Sequence, residues 1–137
     1  VNEYAKDVTW EKRYSILEDQ LYVMAKQNKK LWQIQGQVEW AVSDSPIVMC
    51  LTYAKEDYFP ESFHTFGHDL WNHYDNINIF LNRDKPYHSV GRSQTEEEAR
   101  AIDVKVKRLL DLHEYPYIEV VGNPDAKFEI LEHLKGL

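Results

Sequence analysis

Residues 74–100 read YDNINIFLNRDKPYHSVGRSQTEEEAR, and this stretch decides the fold. The segment at 76–81 is apolar on both faces in its second half, which is typical of a strand in a covered parallel sheet. A polar loop follows and carries Arg83 and Arg92. Thr95 then begins an S/T-x-x-E capping box with acidic residues in the first turn. The stretch therefore predicts a strand, an arginine-bearing loop and a helix.

Strand and helix patterns alternate on both sides of this stretch. The remaining predicted elements are a strand tail at 1–3, helices at 9–34, 46–55, 61–73 and 125–134, and strands at 38–43 and 117–121. Such alternation predicts an α/β fold, with a parallel sheet, right-handed crossovers and helices on both faces. The length of 137 residues fits a single domain spanning 1–137.

Two of the predicted helices have distinct surfaces. The helix at 9–34 carries an apolar stripe at spacings of three, four and seven residues, which indicates one buried face. The members of the stripe are Leu17, Leu21, Met24, Leu31 and Ile34. The helix at 46–55 is nearly all apolar and should be buried, with Ser45 as its cap and Pro46 in its first position. Cys50 in this helix is expected to be a small buried hydrophobe.

Composition limits the classes of partner. The net charge of −7 disfavours non-specific attraction to nucleic acid but leaves room for a local basic site. A single cysteine rules out an internal disulfide and a cysteine zinc cluster, and a reducing cytoplasm is the simplest setting. No apolar run approaches the length of a membrane span, so no membrane partner is predicted.

Candidate chemistry lies where the predicted strands end, because ligands of open α/β sheets bind beyond the carboxyl ends of the strands. Those ends are Glu3, Asp44, Arg83 and Gly122. An acidic group with arginine beside it suits a metal–nucleotide site. A carboxylate can hold a magnesium-bound water or take a proton from a hydroxyl, and arginine can neutralise a phosphoryl group in transfer.

Each candidate also has a purely structural interpretation. Asp44 could help to begin the helix that follows it, Glu3 could be a solvated carboxylate, and Arg83 could pair with Asp84. Arg92 is the stronger functional candidate, because the glycine before it lets the backbone bend sharply and the acidic turn after it could hold the guanidinium.

Other polar and aromatic residues favour structural roles. Arg100 is expected to pair with Glu96 or Glu97 one helical turn away. His64 and His68 would share a helical face, but no H-E-x-x-H pattern accompanies them, so a structural or surface role is favoured over metal binding. The four tryptophans are expected to lie in the core rather than to stack on ligands.

Several motifs together resemble one family. VNEYAK, AVSDSP, YDNINIFLNRDKPYHSVGRSQTEEEARAID and YIEVVGNPDAKFEIL resemble the P-loop kinase-like ATPases, especially the group with the ribosylnicotinamide kinase domain of the NAD-biosynthesis regulator and small phage ATPases. The chain also looks like the deoxyribonucleoside and thymidylate kinases. The resemblance covers essentially the whole chain and implies the sheet order 2-3-1-4-5, with 1–3, 38–43, 76–81 and 117–121 as strands 2, 3, 4 and 5.

The resemblance also implies roles for individual residues. Glu3 matches the acid near the substrate hydroxyl, and Asp44 matches the acid near the magnesium ion. Arg92, and less securely Arg83, match the lid arginines that contact phosphate. ATP and Mg²⁺ are the implied cofactors, and a nucleoside or nucleotide is the implied small-molecule partner.

One part of the family pattern is missing. No G-x-x-x-x-G-K-[ST] sequence occurs in the 137 residues, so the first strand and the phosphate loop have no counterpart here. The resemblance implies that 1–137 is the C-terminal part of a P-loop kinase-like domain whose phosphate loop lies upstream.

Three functions remain open at this point. The first is ATP-dependent phosphoryl transfer to a hydroxyl of a nucleoside, a nucleotide or a modified base. The second is a non-catalytic interaction protein on a degenerate kinase fold, possibly encoded by a phage, for which tryptophan and tyrosine offer interface anchors. The third is a kinase that acts on nucleic acid, which the acidic net charge disfavours.

Overall fold

The computed structural model describes residue 11 and residues 14–84 and 95–136, which together form a mixed α/β fold. The order of elements in these residues is a 3-10 helix (Tyr14–Glu18), α1 (Gln20–Ile34), α2 (Met49–Tyr53), α3 (Glu61–Asn72), β1 (Asn78–Asn82), α4 (Glu96–Leu112), β2 (Tyr117–Val121) and α5 (Ala126–Lys135). None of the helices in this part of the chain is both long and apolar enough to cross a bilayer.

The sheet in the described residues consists of β1 and β2, which pair in parallel. The register runs from Asn78 opposite Tyr117 to Asn82 opposite Val121. Two parallel strands need a crossover between them, and α4 provides it. The parallel pairing and the strand predicted at 117–121 are therefore confirmed, and the strand predicted at 76–81 is present at Asn78–Asn82. The larger sheet with helices on both faces is not seen in the described residues, and the predicted strand tail at 1–3 lies outside them.

The predicted strand at 38–43 is wrong. These residues are described, but they form no strand. Val38, Trp40 and Val42 alternate as a strand requires, yet their exposed fractions are 49%, 56% and 81%. The sheet in the described residues consists of β1 and β2 and does not include this segment.

The long first helix is also corrected. In the described residues it is divided into the 3-10 helix and α1, with Asp19 between them as the cap of α1, where its carboxylate accepts the Tyr22 N–H at 3.1 Å. The predicted stripe is only partly right, because Met24 is buried but Leu21 is 53% exposed. Gln27, with an exposed fraction of 2%, lies on the buried face of α1. Its side-chain amide donates to the Ser43 hydroxyl at 3.1 Å.

Helix α2 lies at the centre of the core. It is shorter than predicted, because it begins at Met49 rather than at Pro46, and Ser45 does not cap it. Residues 46–48 form tight turns instead, in which the Met49 N–H donates to the Pro46 carbonyl at 2.9 Å. The prediction that this segment is buried is confirmed, including Cys50. The buried core consists of Val23, Met24, Ile47, Val48, Cys50, Leu51, Ala54, Phe59, Phe63 and Trp71.

Helix α3 approaches α1 and α2 closely at Gly67. A Cβ atom there would lie 2.5 Å from Leu51 Cδ2 and 3.1 Å from Met24 Cε. The glycine lowers helix propensity, but it lets the three helices pack together. Trp71 is buried on the same helix, as predicted, whereas Trp32 and Trp40 are exposed, contrary to prediction.

Three hydrogen bonds from two side chains fix the entry into β1. The Tyr74 hydroxyl donates to Asn28 Oδ1 on α1 at 2.7 Å. The Asn76 side-chain amide donates to the carbonyls of Trp71 and Tyr74, at 2.7 and 2.9 Å. Partial burial raises the pKa of the Tyr74 phenol above its ordinary value. These bonds place the start of the sheet against the helical core.

Candidate functional site at the carboxyl ends of the strands

The carboxyl ends of β1 and β2 lie side by side. Asn82 ends β1, and Gly122 follows the end of β2, with its N–H donating to the Asn82 carbonyl at 2.8 Å. A Cβ atom at position 122 would lie 2.9 Å from that carbonyl oxygen, so only glycine fits this approach without a backbone shift. Asn123 then accepts the Asp125 N–H at 2.8 Å and turns the chain into α5.

Arg83 is held at this edge by α4. Its Nε donates to Asp103 Oδ2, and its Nη2 donates to Asp103 Oδ1 at 2.9 Å. The Nη2 group also lies 3.5 Å from the Ala99 carbonyl. The prediction that Arg83 pairs with Asp84 is therefore wrong. The reason is geometric, because the crossover helix presents a carboxylate in the planar two-point arrangement that suits a guanidinium.

A polar network covers the face of the sheet beneath α4. Glu119 on β2 accepts hydrogen bonds from Lys107 Nζ at 2.7 Å and from Asn82 Nδ2 at 2.9 Å. The Lys107 bond, and then the Asn82 bond, hold the pKa of Glu119 below its ordinary value. Lys107 also lies 4.7 Å from the centroid of the Phe80 ring.

Sequence reasoning missed this network. The available signal was Glu119, a charged residue within the apolar strand YIEVV. The network aligns α4 over the sheet and so fixes the position of Arg83 at the strand ends.

Asp44 lies in a loop that α1 holds in place. The Ser43 hydroxyl accepts the Gln27 side chain and the Ser45 N–H, and it donates to the Ser45 carbonyl. Asp44 itself is exposed and begins no helix, so its interpretation as a capping residue is wrong. No ion pair joins Asp44 to Arg83 in the part of the chain that the structure describes.

The other two predicted site residues, Glu3 and Arg92, lie outside the described residues. Arg100 pairs with Glu96 as predicted, through Nε at 3.2 Å and Nη2 at 2.8 Å to the same carboxylate oxygen. Its guanidinium is thereby engaged on the exposed side of α4. Among the described residues, Arg83 is therefore the arginine that lies at the strand ends.

A magnesium–ATP site requires oxygen ligands for the metal ion. Magnesium is usually held by one or two carboxylates together with substrate phosphates and water, rather than by a full cage of protein ligands. Asp44 has an exposed carboxylate of this kind, but it follows residues 38–43, which are not part of the sheet in the described residues. Within residues 14–84 and 95–136, no group of three or more histidine, cysteine, aspartate or glutamate side chains could hold a metal ion.

An open groove of ≈ 540 Å³ lies elsewhere on α4. Its lining residues are Val104, Lys107, Arg108, Asp111 and Leu112. They belong to the C-terminal half of α4, which must run back towards the amino ends of the strands because the strands are parallel. The groove is therefore not part of the site at the carboxyl ends.

No family model, no curated protein and no solved structure matches this chain.

Proposed function

We propose that this protein transfers the γ-phosphoryl group of ATP to a hydroxyl of a nucleoside, a nucleotide or a modified base, as part of a P-loop kinase-like domain. The observation that supports the proposal is the β1–α4–β2 unit, in which two parallel strands end together with Arg83 at the edge. Nucleotides bind at such edges in open α/β sheets, and arginine there offsets the charge of a phosphoryl group.

The proposed roles follow the chemistry of each side chain. Glu3 acts as the base or as an anchor for the substrate hydroxyl, and Asp44 is the carboxylate that supports magnesium. Arg92 is the lid arginine on the transferred phosphoryl group, and Arg83 contributes positive charge from its fixed place beside Asp103. A phosphate-cradling loop is also required, and none occurs in these 137 residues, so the proposal depends on sequence beyond them.

The test uses the full-length natural protein and a panel of nucleosides and nucleotides with magnesium–ATP. Arg92→Ala should lower kcat by at least about a hundredfold, because a positioned donor to the transition state is lost, with a smaller change in KM for ATP. Arg100→Ala is the matched control, because Arg100 is an exposed arginine of the same segment that pairs with Glu96. Absence of ATP-dependent phosphorylation, or equal effects of the two substitutions, would refute the proposal.

A second candidate function is binding to a protein partner without catalysis. It is favoured by large apolar side chains that the described residues leave exposed near one another in sequence. These are Trp32, Val38, Trp40 and Val42, with exposed fractions of 69%, 49%, 56% and 81%. Exposed apolar surface of this kind often marks an interaction site. A full-length protein without phosphotransferase activity, whose complex with a partner is lost on Trp40→Ser, would support this alternative.

A further inference from the structure

Two histidines and a tyrosine meet where α3, the end of α4 and the start of β2 come together. His68 belongs to α3, His113 is the C-terminal cap of α4, and Tyr115 lies just before β2. The centroids of the two imidazole rings are 3.7 Å apart, with an angle of 33° between the rings. His68 Nδ1 and the Tyr115 hydroxyl share a hydrogen bond of 2.9 Å. Residues more than 40 positions apart are thus joined by side chains that titrate.

We propose that His68, His113 and Tyr115 form a pH-sensitive clasp, which is closed when both imidazoles are neutral and opens when both are protonated. Two neutral rings can stack at this distance and contribute dispersion energy. Two imidazolium rings at the same distance repel each other, and the partial burial of His68 adds a cost to its charged form. Protonation therefore favours separation of α3 from the turn that leads into β2.

The hydrogen bond to Tyr115 adds a second reason. When the Tyr115 hydroxyl donates to His68 Nδ1, 2.9 Å away, that nitrogen is the unprotonated one. A proton arriving at Nδ1 turns this acceptor into a donor, so the tyrosine hydroxyl must reorient.

Burial and the charged groups on α3 and at the end of α4 affect the pKa of His68. Burial opposes the protonated form most strongly, and the charges of His113 on α4 and His64 on α3 oppose it further. Asp69 and Glu61, both on α3, favour the protonated form, but more weakly. The net effect lowers the pKa of His68 below its ordinary value.

The sign of the pH dependence follows. Because the pKa of His68 is lower in the folded state, the unfolded chain takes up a proton more readily between that lowered value and about 6.5. The contribution of the clasp to stability is therefore complete above pH of about 6.5. It is lost progressively as the pH falls through the window towards the lowered pKa.

The clasp also has a structural consequence. Tyr115 and Leu109, on the two sides of His113, both pack against the helical core. Opening the clasp would weaken the junction between the core and the β1–α4–β2 unit. This device goes beyond the proposed phosphoryl transfer, and its test does not depend on that activity.

The test combines NMR titration of the histidine side chains with thermal unfolding of the full chain between pH 8 and pH 5. In the wild type, the pKa of His68 should lie below the ordinary value for histidine, about 6.5. In His113→Gln the pKa of His68 should rise, and the fall in Tm between pH 8 and pH 5 should be smaller than in the wild type. His133→Gln is the matched control and should retain the wild-type pH dependence.

Two results would overturn the clasp. One is a His68 whose pKa is not lowered from the ordinary value of about 6.5. The other is a His113→Gln protein that loses as much Tm on acidification as the wild type. If His113→Gln fails to fold, Tyr115→Phe keeps the ring and removes the hydroxyl. It should raise the pKa of His68 relative to the wild type, and an unchanged value would count against the clasp.

Discussion

Glu114 has a backbone conformation that glycine would adopt at lower cost, and Glu114→Gly is expected to stabilise the protein. Its φ is 53°, in the left-handed region, and it directly follows the cap of α4. The Tyr115 N–H donates to the Leu110 carbonyl at 2.9 Å, and the Glu114 N–H donates to the Asp111 carbonyl at 3.2 Å. These bonds form a Schellman motif, in which the left-handed position is usually glycine.

The magnitude can be worked out from two opposing contributions. The left-handed conformation costs an L-residue roughly 1–2 kcal/mol. Glycine avoids this strain, but it loses more conformational freedom on folding, which lowers stability by roughly 0.5–1 kcal/mol. The net gain should be about 0.5–1 kcal/mol. For a chain of 137 residues, the usual unfolding entropy converts this into a rise in Tm of about 2–3 °C.

Urea unfolding followed by circular dichroism at a constant pH of 8 is a suitable assay. Glu114→Gly should raise the midpoint without changing the slope, since the surface exposed on unfolding stays the same. Glu114→Ala is the control, because it removes the charge but keeps the strained conformation, so its midpoint should not rise. If the alanine variant gains as much stability as the glycine variant, charge rather than backbone strain is the cause, and the reasoning fails.

Two further substitutions test the ends of the β1–α4–β2 unit. Thr95→Ala removes the hydroxyl that accepts the Glu98 N–H at 3.2 Å and should cost about 1 kcal/mol in urea unfolding, whereas Thr95→Ser should be close to neutral. A loss for the serine variant equal to that for alanine would contradict the capping role. Gly122→Ala places a Cβ atom against the Asn82 carbonyl and should cost about 1–3 kcal/mol, with faster exchange of the position-122 amide. Gly136→Ala, whose nearest neighbouring atom would be 3.6 Å away, is its control, and equal stability of the two alanine variants would argue against the close approach.

The parts of the fold that the sequence predicted are those with local signals. The capping box at Thr95 is present as predicted, with the Glu98 carboxylate accepting the Thr95 N–H at 2.7 Å. The apolar segment at 117–121 is strand β2 with the predicted bounds. Caps and apolar runs act over a few residues, so neighbouring sequence alone is enough to specify them.

The parts that it missed depend on partners distant in sequence. Alternation at 38–43 describes a possible strand, but it cannot say whether another strand lies alongside. The stripe on α1 included Leu21 and left out Gln27, because burial of the glutamine depends on Ser43 across a turn. Of the candidate site, Arg83 was identified at the end of its strand, but its partner Asp103 was not. That pairing depends on how α4 crosses the sheet.

The short helix α2 determines how the molecule must assemble. A helix of five residues, Met49–Tyr53, is far below the length at which an isolated helix is stable in water, because nucleation costs more than so few hydrogen bonds return. It can form only while α1, α3 and α4 close around it. The helix at the centre of the core is therefore not stable by itself, and we expect it to form together with its neighbours. A substitution that weakens the packing of α1, α3 or α4 against α2 should therefore destabilise the other two helices as well.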